Sequence, residues 1–211
     1  MTAVPPVIHV VDDDASFRTS VARLLQTSGY RVALYESGAQ LLERPPSAEP
    51  GCILLDLQMP GLCGLDLQER LAKVAWMLPI VFLTGHGDIP TTVQAIKAGA
   101  EDFLSKPVAK KTLLDAVRRA LERHEEARMR HARLHVLRSR IATLTPREHE
   151  VFALVVRGKL NKEIAFELGI AERTVKMRRH NAMQKLEVRS LADAVAIAER
   201  LGMLTAPVEP T

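Results

Sequence analysis

Cys52-Ile-Leu-Leu-Asp56-Leu-Gln-Met-Pro60-Gly61 is an apolar run of strand character that ends in one carboxylate and passes directly into a Pro-Gly turn. The pattern predicts a buried strand that delivers Asp56 to the edge of a sheet. There the chain must turn, and the carboxylate faces a cleft rather than the core. Asp at a strand end is common, so its meaning rests on which other charged groups reach the same edge.

Outward from this stretch, apolar runs alternate with helical spacing. Val7-Ile-His-Val-Val11 predicts a first strand ending in Asp12-Asp13-Asp14. Asp14 then caps a helix carrying Phe17, Val21, Leu24 and Leu25, which Gly29 closes. Residues 31–35 predict a second strand, and Ser37 caps a short helix that fails before Pro45-Pro46. Beyond Asp56, residues 62–76 contain a helix, 79–84 a fourth strand, and 89–98 a helix ended by Gly99. Residues 102–105 predict a fifth strand, and Lys106-Pro107 turns into a helix from about Ala109. Such alternation predicts a doubly wound parallel sheet of five strands, covered on both faces.

In sheets of this kind the functional crevice lies at the carboxyl ends of the strands. Asp12 and Asp13, Asp56, Thr84 and Lys106 all fall there. Three carboxylates in one cleft repel each other unless a cation neutralises them, and hard oxygen ligands with room for water suit Mg²⁺. A metal and a Lys ammonium beside a carboxylate make a site for a phosphoryl group, with Asp56 as a candidate nucleophile. The Thr84 hydroxyl has the chemistry to bond a phosphoryl oxygen.

The chain has 211 residues, 47% apolar and 26% charged, as expected for one large or two small globular domains. It holds no apolar run near the ~18 residues that span a bilayer, and no signal peptide is expected at its N-terminus. Cys52 and Cys63 are the only cysteines, which argues against a disulfide framework and suits the cytoplasm; neither has zinc-ligand spacing. Residues 1–122 hold 12 Lys/Arg and 14 Asp/Glu, whereas residues 123–211 hold 17 and 11. The acidic first half and basic second half are expected to meet different partners, with nucleic acid a candidate for the second.

Residues 122–140 lack Gly and Pro and continue the last helix of the first half as a semi-rigid linker. His124, His131 and His135 are expected on its solvated face. Thr145-Pro-Arg-Glu148 then starts a new helix with an N-cap, a first-turn Pro and a capping-box Glu; Gly158 ends it. Asn161 is expected to cap a second helix closed by Gly169, and a third runs from about Glu172 to Leu186. Ser190 caps a fourth. Four short helices with a tight turn between the second and third suggest a helix-turn-helix. At ~100° per residue, Val175, Ala182 and Leu186 form the packing stripe of the third helix. Arg173, Lys176, Met177, His180 and Gln184 lie opposite, with Arg178 and Arg179 at the edges. One apolar face and one cationic face suit a helix lying in a DNA major groove.

With Asp12-Asp13, Leu55-Asp56-x-x-Met59-Pro60-Gly61, Thr84-Gly85 and Phe103-x-x-Lys106-Pro107 in this order, residues 5–122 resemble the receiver domain of bacterial two-component response regulators. Leu144-Thr-Pro-Arg-Glu148, Asn161-Lys-Glu-Ile-Ala165, Leu168-Gly-Ile170, Arg173-Thr-Val-Lys176 and Lys185-Leu186 resemble the LuxR-type DNA-binding domain. Together they resemble the NarL/FixJ class. The resemblance implies a flavodoxin-like (CheY-like) α/β receiver over 1–122, a helical linker over 123–142 and an all-α four-helix domain over 143–211.

The resemblance further implies that Asp56 accepts a phosphoryl group from a sensor histidine kinase. Mg²⁺ would be bound by Asp13, Asp56 and the Gln58 carbonyl, with Asp12 acting through water. Lys106 would pair with the phosphoryl group, and Thr84 and Phe103 would form the switch. Gln58 and His86 stand where the family tunes phosphoryl lifetime. Lys176, Met177 and His180 would probe base edges, with Arg173 on the same face. Asn161, Lys162, Thr174, Arg178 and Arg179 would hold the DNA backbone. Activation would produce a homodimer on promoter DNA, with RNA polymerase a further candidate partner. Leu191, Val195 and Ala198 of the fourth helix would form either a dimer surface or intradomain packing.

Ala171 stands where a capping Ser is usual in the family, so the recognition helix is expected to start less firmly; Arg178 replaces a common His and Met177 a common Val, which leaves the DNA sequence unread. No catalysis is implied beyond self-directed phosphoryl transfer and autodephosphorylation. Two alternatives remain: an aspartyl-phosphate phosphatase, disfavoured because Gln58 stands where a general acid would be needed, or a DNA-binding regulator independent of phosphorylation.

Overall fold

The computed structural model describes residues 5–43, 49–73, 78–85 and 89–204, so His86 and the Trp76 end of the expected third helix lie outside the described residues. The chain divides into two compact units, Met1–Arg128 and Met129–Thr211.

In the first unit, β1 (Val7–Val11), β2 (Arg31–Tyr35), β3 (Gly51–Asp56), β4 (Ile80–Thr84) and β5 (Asp102–Ser105) form one sheet in the order β2-β1-β3-β4-β5. All pairings are parallel. The helices α1 (Ala15–Thr27), α2 (Gly38–Glu43), α3 (Gly64–Lys73), α4 (Ile89–Lys97) and α5 (Lys110–Ile141) alternate with the strands. Side-chain alternation sorts the core into two layers. Ile8, Val10, Cys52, Leu54, Val81 and Leu83 pack against Val21 and Leu25 of α1 and Leu113 and Val117 of α5. On the other face Val11, Ile53, Leu55 and Phe82 pack against Leu41 of α2, Leu67 and Leu71 of α3, and Ala95 of α4. β1, β3 and β4 are buried throughout, which is why their sequences read as continuous apolar runs.

Asp14 caps α1, its carboxylate accepting from the Ser16 and Phe17 amides at 2.8 and 3.2 Å. α3 can start beside the end of β3 because residue 64 is glycine. A Cβ there would sit 2.5 Å from the Asp56 carbonyl oxygen and 2.9 Å from the Phe82 ring. α5 is one helix of 32 residues, so the linker is helical as expected. His124, however, is buried rather than solvated. It continues the stripe of Leu113, Ala116, Val117 and Ala120, whose spacing brings it onto the packed side of the helix.

In the second unit, α6 (Pro146–Val156), α7 (Asn161–Leu168), α8 (Glu172–Lys185) and α9 (Leu191–Arg200) enclose two small cores. Val151, Leu154, Val155, Ile164 and Val175 join α6, α7 and α8. Phe152, Val156, Ala182, Leu186, Ala194 and Ala198 join α6, α8 and α9. Thr145 with Glu148, and Ser190 with Asp193, form complete capping boxes. Gly169 closes α7 in the left-handed region at φ 62°, which turns the chain sharply into α8.

One further expectation needs correction, and the two alternatives left open for α9 narrow to one for Val195 and Ala198. Asn161 is the first helical residue of α7, not its cap; the cap position is Leu160, whose amide donates to the Glu163 carboxylate at 2.7 Å. In α9, Ala198 is buried and Val195 packs on the same core, so both serve intradomain packing, while Leu191 stays exposed.

Candidate functional site

The strand order decides which side chains meet. β1 and β3 are neighbours, with Val11 opposite Leu55, so the next residues, Asp12 and Asp56, emerge side by side. Both are buried, whereas Asp13 is exposed at the mouth. One carboxylate oxygen from each of Asp12, Asp13 and Asp56 lies within 4.8 Å of the other two. Lys106 follows β5, which is separated from β3 by β4, so only a long side chain can reach back. It does: Nζ donates to Asp12 Oδ2 at 2.5 Å and to Asp56 Oδ2 at 2.9 Å.

Backbone groups complete the cleft. The Asp14 amide donates to Asp12 Oδ1 at 2.9 Å, the Gln58 amide to Asp56 Oδ1 at 3.3 Å, and Arg18 Nη1 to the Asp12 carbonyl at 2.5 Å. Burial pushes the Asp12 carboxyl up, partly opposed by the Lys106 ammonium. Burial works to lower Lys106, but its hydrogen bonds to Asp12 and Asp56 more than offset it and hold the ammonium above its ordinary value. The Lys106 ammonium, with the Arg18 guanidinium at the Asp12 carbonyl, does not balance the three carboxylates, so the cleft stays anionic. A hard divalent cation would neutralise it, and the donor set of carboxylate oxygens open to solvent on the Asp13 side fits such an ion.

Thr84 is buried at the end of β4, and its carbonyl accepts from the Lys106 amide at 2.7 Å. Phe103 is half-buried in β5, its ring centroid 6.0 Å from that of Phe82. Gln58 is exposed beside the cleft. Asp12, Asp13 and Asp56 are thus in mutual reach, Lys106 bonds Asp12 and Asp56, and Thr84 and Phe103 occupy the neighbouring strands β4 and β5.

In the second unit α8 presents the expected two faces. Val175, Ala182 and Leu186 are buried, and Arg173, Lys176, Met177, His180 and Gln184 are exposed. Thr174, Arg178 and Arg179 are half-buried at the margins, and Lys162 is exposed on α7. Asn161 Oδ1 accepts from Arg179 Nη1 at 3.1 Å, so these two residues bind each other across α7 and α8. Lys176 pairs with Glu172 at 3.1 Å.

Sequence reasoning missed several polar anchors. Glu148 is buried, and its carboxylate accepts from Lys185 Nζ at 2.6 Å and from the Thr145 amide at 2.9 Å. The Lys185 bond, followed by the Thr145 amide, lowers Glu148 to about 2. The i,i+3 capping signal was visible, but the Lys185 partner was not. His9 is buried in β1 with Nδ1 3.1 Å from the Tyr35 hydroxyl, and desolvation lowers it to about 4 against a raising influence of Glu49. Gln68 Nε2 donates to the Ala95 carbonyl at 3.2 Å, tying α3 to α4.

Comparison with known proteins gives two family matches: the response regulator receiver domain over residues 8–118, and the bacterial regulatory proteins of the luxR family over residues 142–198. Nodulation protein W of Bradyrhizobium diazoefficiens is 44% identical over 205 residues, covering 97% of this chain and 90% of its own. Transcriptional regulatory protein FixJ of the same organism is 39% identical, covering 93% and 96%. Among solved structures, response regulator StyR superposes with a TM-score of 0.82 at 46% identity, over 93% of this chain and 100% of that one. The chain belongs to the two-component response regulators that join a receiver domain to a LuxR-type DNA-binding domain. Its relatives are transcriptional regulators, and among the described residues no helix is long and apolar enough to cross a membrane.

Proposed function

We propose that the chain is a phosphorylation-activated transcriptional regulator in which Asp56 accepts a phosphoryl group from a sensor histidine kinase. The observation that carries this reading is the single ammonium of Lys106 bridging Asp12 and Asp56 inside a cleft of three carboxylates. An Asp56 oxygen attacks phosphorus, and the bond from phosphorus to the donor breaks with its electron pair leaving on the donor. Lys106 is placed to follow the negative charge as it moves onto the phosphoryl oxygens. Mg²⁺, held by Asp13, Asp56 and the Gln58 carbonyl with Asp12 acting through water, would supply further charge neutralisation. The Thr84 hydroxyl bonds the phosphoryl group, and the Phe103 ring turns inward, biasing a two-state receiver.

The output is DNA binding by a homodimer. Ile89, Val93 and Ile96 form an exposed apolar stripe along α4, next to β5, and this supports dimerisation through that side. Lys176, Met177 and His180, with Arg173, read base edges. Lys162, Thr174, Arg178, Arg179 and Asn161 hold the phosphate backbone, the last two already braced against each other. RNA polymerase is the onward partner on promoter DNA, and the protein acts in the cytoplasm. The working boundaries are 1–122 for the receiver, 123–142 for the linker and 143–211 for the DNA-binding domain.

Gel-shift titration on the chain's own upstream DNA, with and without acetyl phosphate and Mg²⁺, tests the reading. The phosphodonor is expected to tighten binding by the wild type and to leave Asp56→Asn unchanged. Equal stimulation of both would refute phosphorylation control through Asp56.

A further inference from the structure

Phe17 stands in the first turn of α1, outside every motif of the receiver cleft, yet its ring meets the cleft's central cation. The Lys106 ammonium nitrogen lies 4.1 Å from the Phe17 ring centroid while it donates to Asp12 Oδ2 and Asp56 Oδ2. That distance is within cation–π range. The ring is itself fixed. Its backbone amide is tied to the Asp14 cap, and its side chain packs on the core layer formed with α1 and α5. Lys106, by contrast, reaches across β4 on a flexible stem whose rotamers are costly to order. Two of its three N–H groups go to carboxylates, and a rigid aromatic face occupies a further side where water would otherwise compete.

We propose that Phe17 is a positioning residue for phosphoryl transfer: its ring face holds the Lys106 ammonium against Asp56 and keeps water from that flank. This rests on the reading of Asp56 as the phosphoryl acceptor. With acetyl phosphate as donor, an Asp56 oxygen forms the new P–O bond, and acetate leaves with the electrons of the old one. The ammonium must be at Asp56 when this charge moves, so the ring acts on the rate of transfer at saturating donor and leaves the donor's half-saturating concentration largely unchanged.

The test measures both quantities on the full-length chain with Mg²⁺, for wild type, Phe17→Leu, Phe17→Trp and a chain carrying 3,4,5-trifluorophenylalanine at position 17. The last is nearly isosteric but has lost most of the ring's attraction for cations, so packing alone would leave it unaffected. Phe17→Leu and the trifluoro chain are expected to transfer roughly two- to thirtyfold more slowly at saturation, with Phe17→Trp restoring the rate. In the wild type, the Lys106 ε-protons are expected to show an upfield ring-current shift by NMR. Wild-type rates in the trifluoro chain would overturn the proposal, even if Phe17→Leu were slow, because packing would then explain the leucine effect. A wild type that takes up no phosphoryl group at Asp56 overturns this proposal together with the reading it rests on; equal rates overturn this proposal alone.

Discussion

Replacing Lys185 by Met removes the ammonium from the Glu148 carboxylate while keeping the length and apolar stem of the side chain. Glu148 is buried at the start of α6, and Lys185 Nζ at the end of α8 reaches it over 2.6 Å. Breaking a fully buried pair costs ~3–5 kcal/mol, but the Lys185 side chain is 37% exposed, so solvent screens the interaction. The Thr145 amide also remains bonded to the carboxylate. A loss of about 1–2 kcal/mol is therefore expected, or roughly 4–8 °C per kcal/mol in the melting temperature of a domain this size. Its pH dependence is more diagnostic. Folding lowers Glu148 from 4.5 to about 2, so its contribution is fully present above pH 4.5 and is lost as pH falls through about 2. With the largest cause of that lowering gone, the variant should lose less stability across this window. Calorimetry of full-length wild type, Lys185→Met, Glu148→Gln and the double variant measures the second unit's transition and the coupling between the two residues. A pH slope in Lys185→Met as steep as in the wild type, or no coupling in the cycle, would refute the reasoning.

His9 gives a second pH effect in the receiver unit. Burial lowers it from 6.5 to about 4, so the unfolded chain binds the extra proton between these values and stability declines as pH falls through that range. Urea unfolding at pH 7.5 and pH 5 should show the decline, and His9→Gln should remove most of it. Gly64→Ala would force a Cβ against the Asp56 carbonyl and the Phe82 ring, costing about 1–3 kcal/mol or more and slowing acetyl-phosphate labelling of Asp56. Unchanged stability and labelling would show that α3 can shift without disturbing β3. On DNA, Arg178→Ala should weaken binding to all sequences and lower the salt dependence by about one counterion, whereas Lys176→Ala should relax sequence preference; competition gel shifts at several salt concentrations separate the two.

The strands of the receiver were legible because parallel strands buried on both faces must be apolar along their whole length, as 52–55 and 80–83 are. The helix starts at Asp14, Thr145 and Ser190 were legible because capping is a local bargain between residues three apart. Asn161 misled for the same reason. It is a good capping residue by type, but Glu163 satisfies the Leu160 amide and Arg179, 18 residues away, takes the Asn161 side chain. His124 misled because the helix is read as linker from its polar composition, while its burial depends on the side of α5 that packs.

By itself the sequence determined that Asp12, Asp13, Asp56, Thr84 and Lys106 lie at the carboxyl ends of strands, and that α8 has one apolar and one cationic face. Both are consequences of local periodicity and of where apolar runs stop. Which side chains touch was settled by the packing of whole elements. The tertiary structure placed β3 between β1 and β4, so that Asp56 meets Asp12 directly while Lys106 must reach over β4 and comes to rest on Phe17. It also set Lys185 on Glu148 and His9 on Tyr35. Contacts between residues 26 to 94 positions apart leave no periodic trace, because they are made by the packing of whole elements and not by the residues beside them.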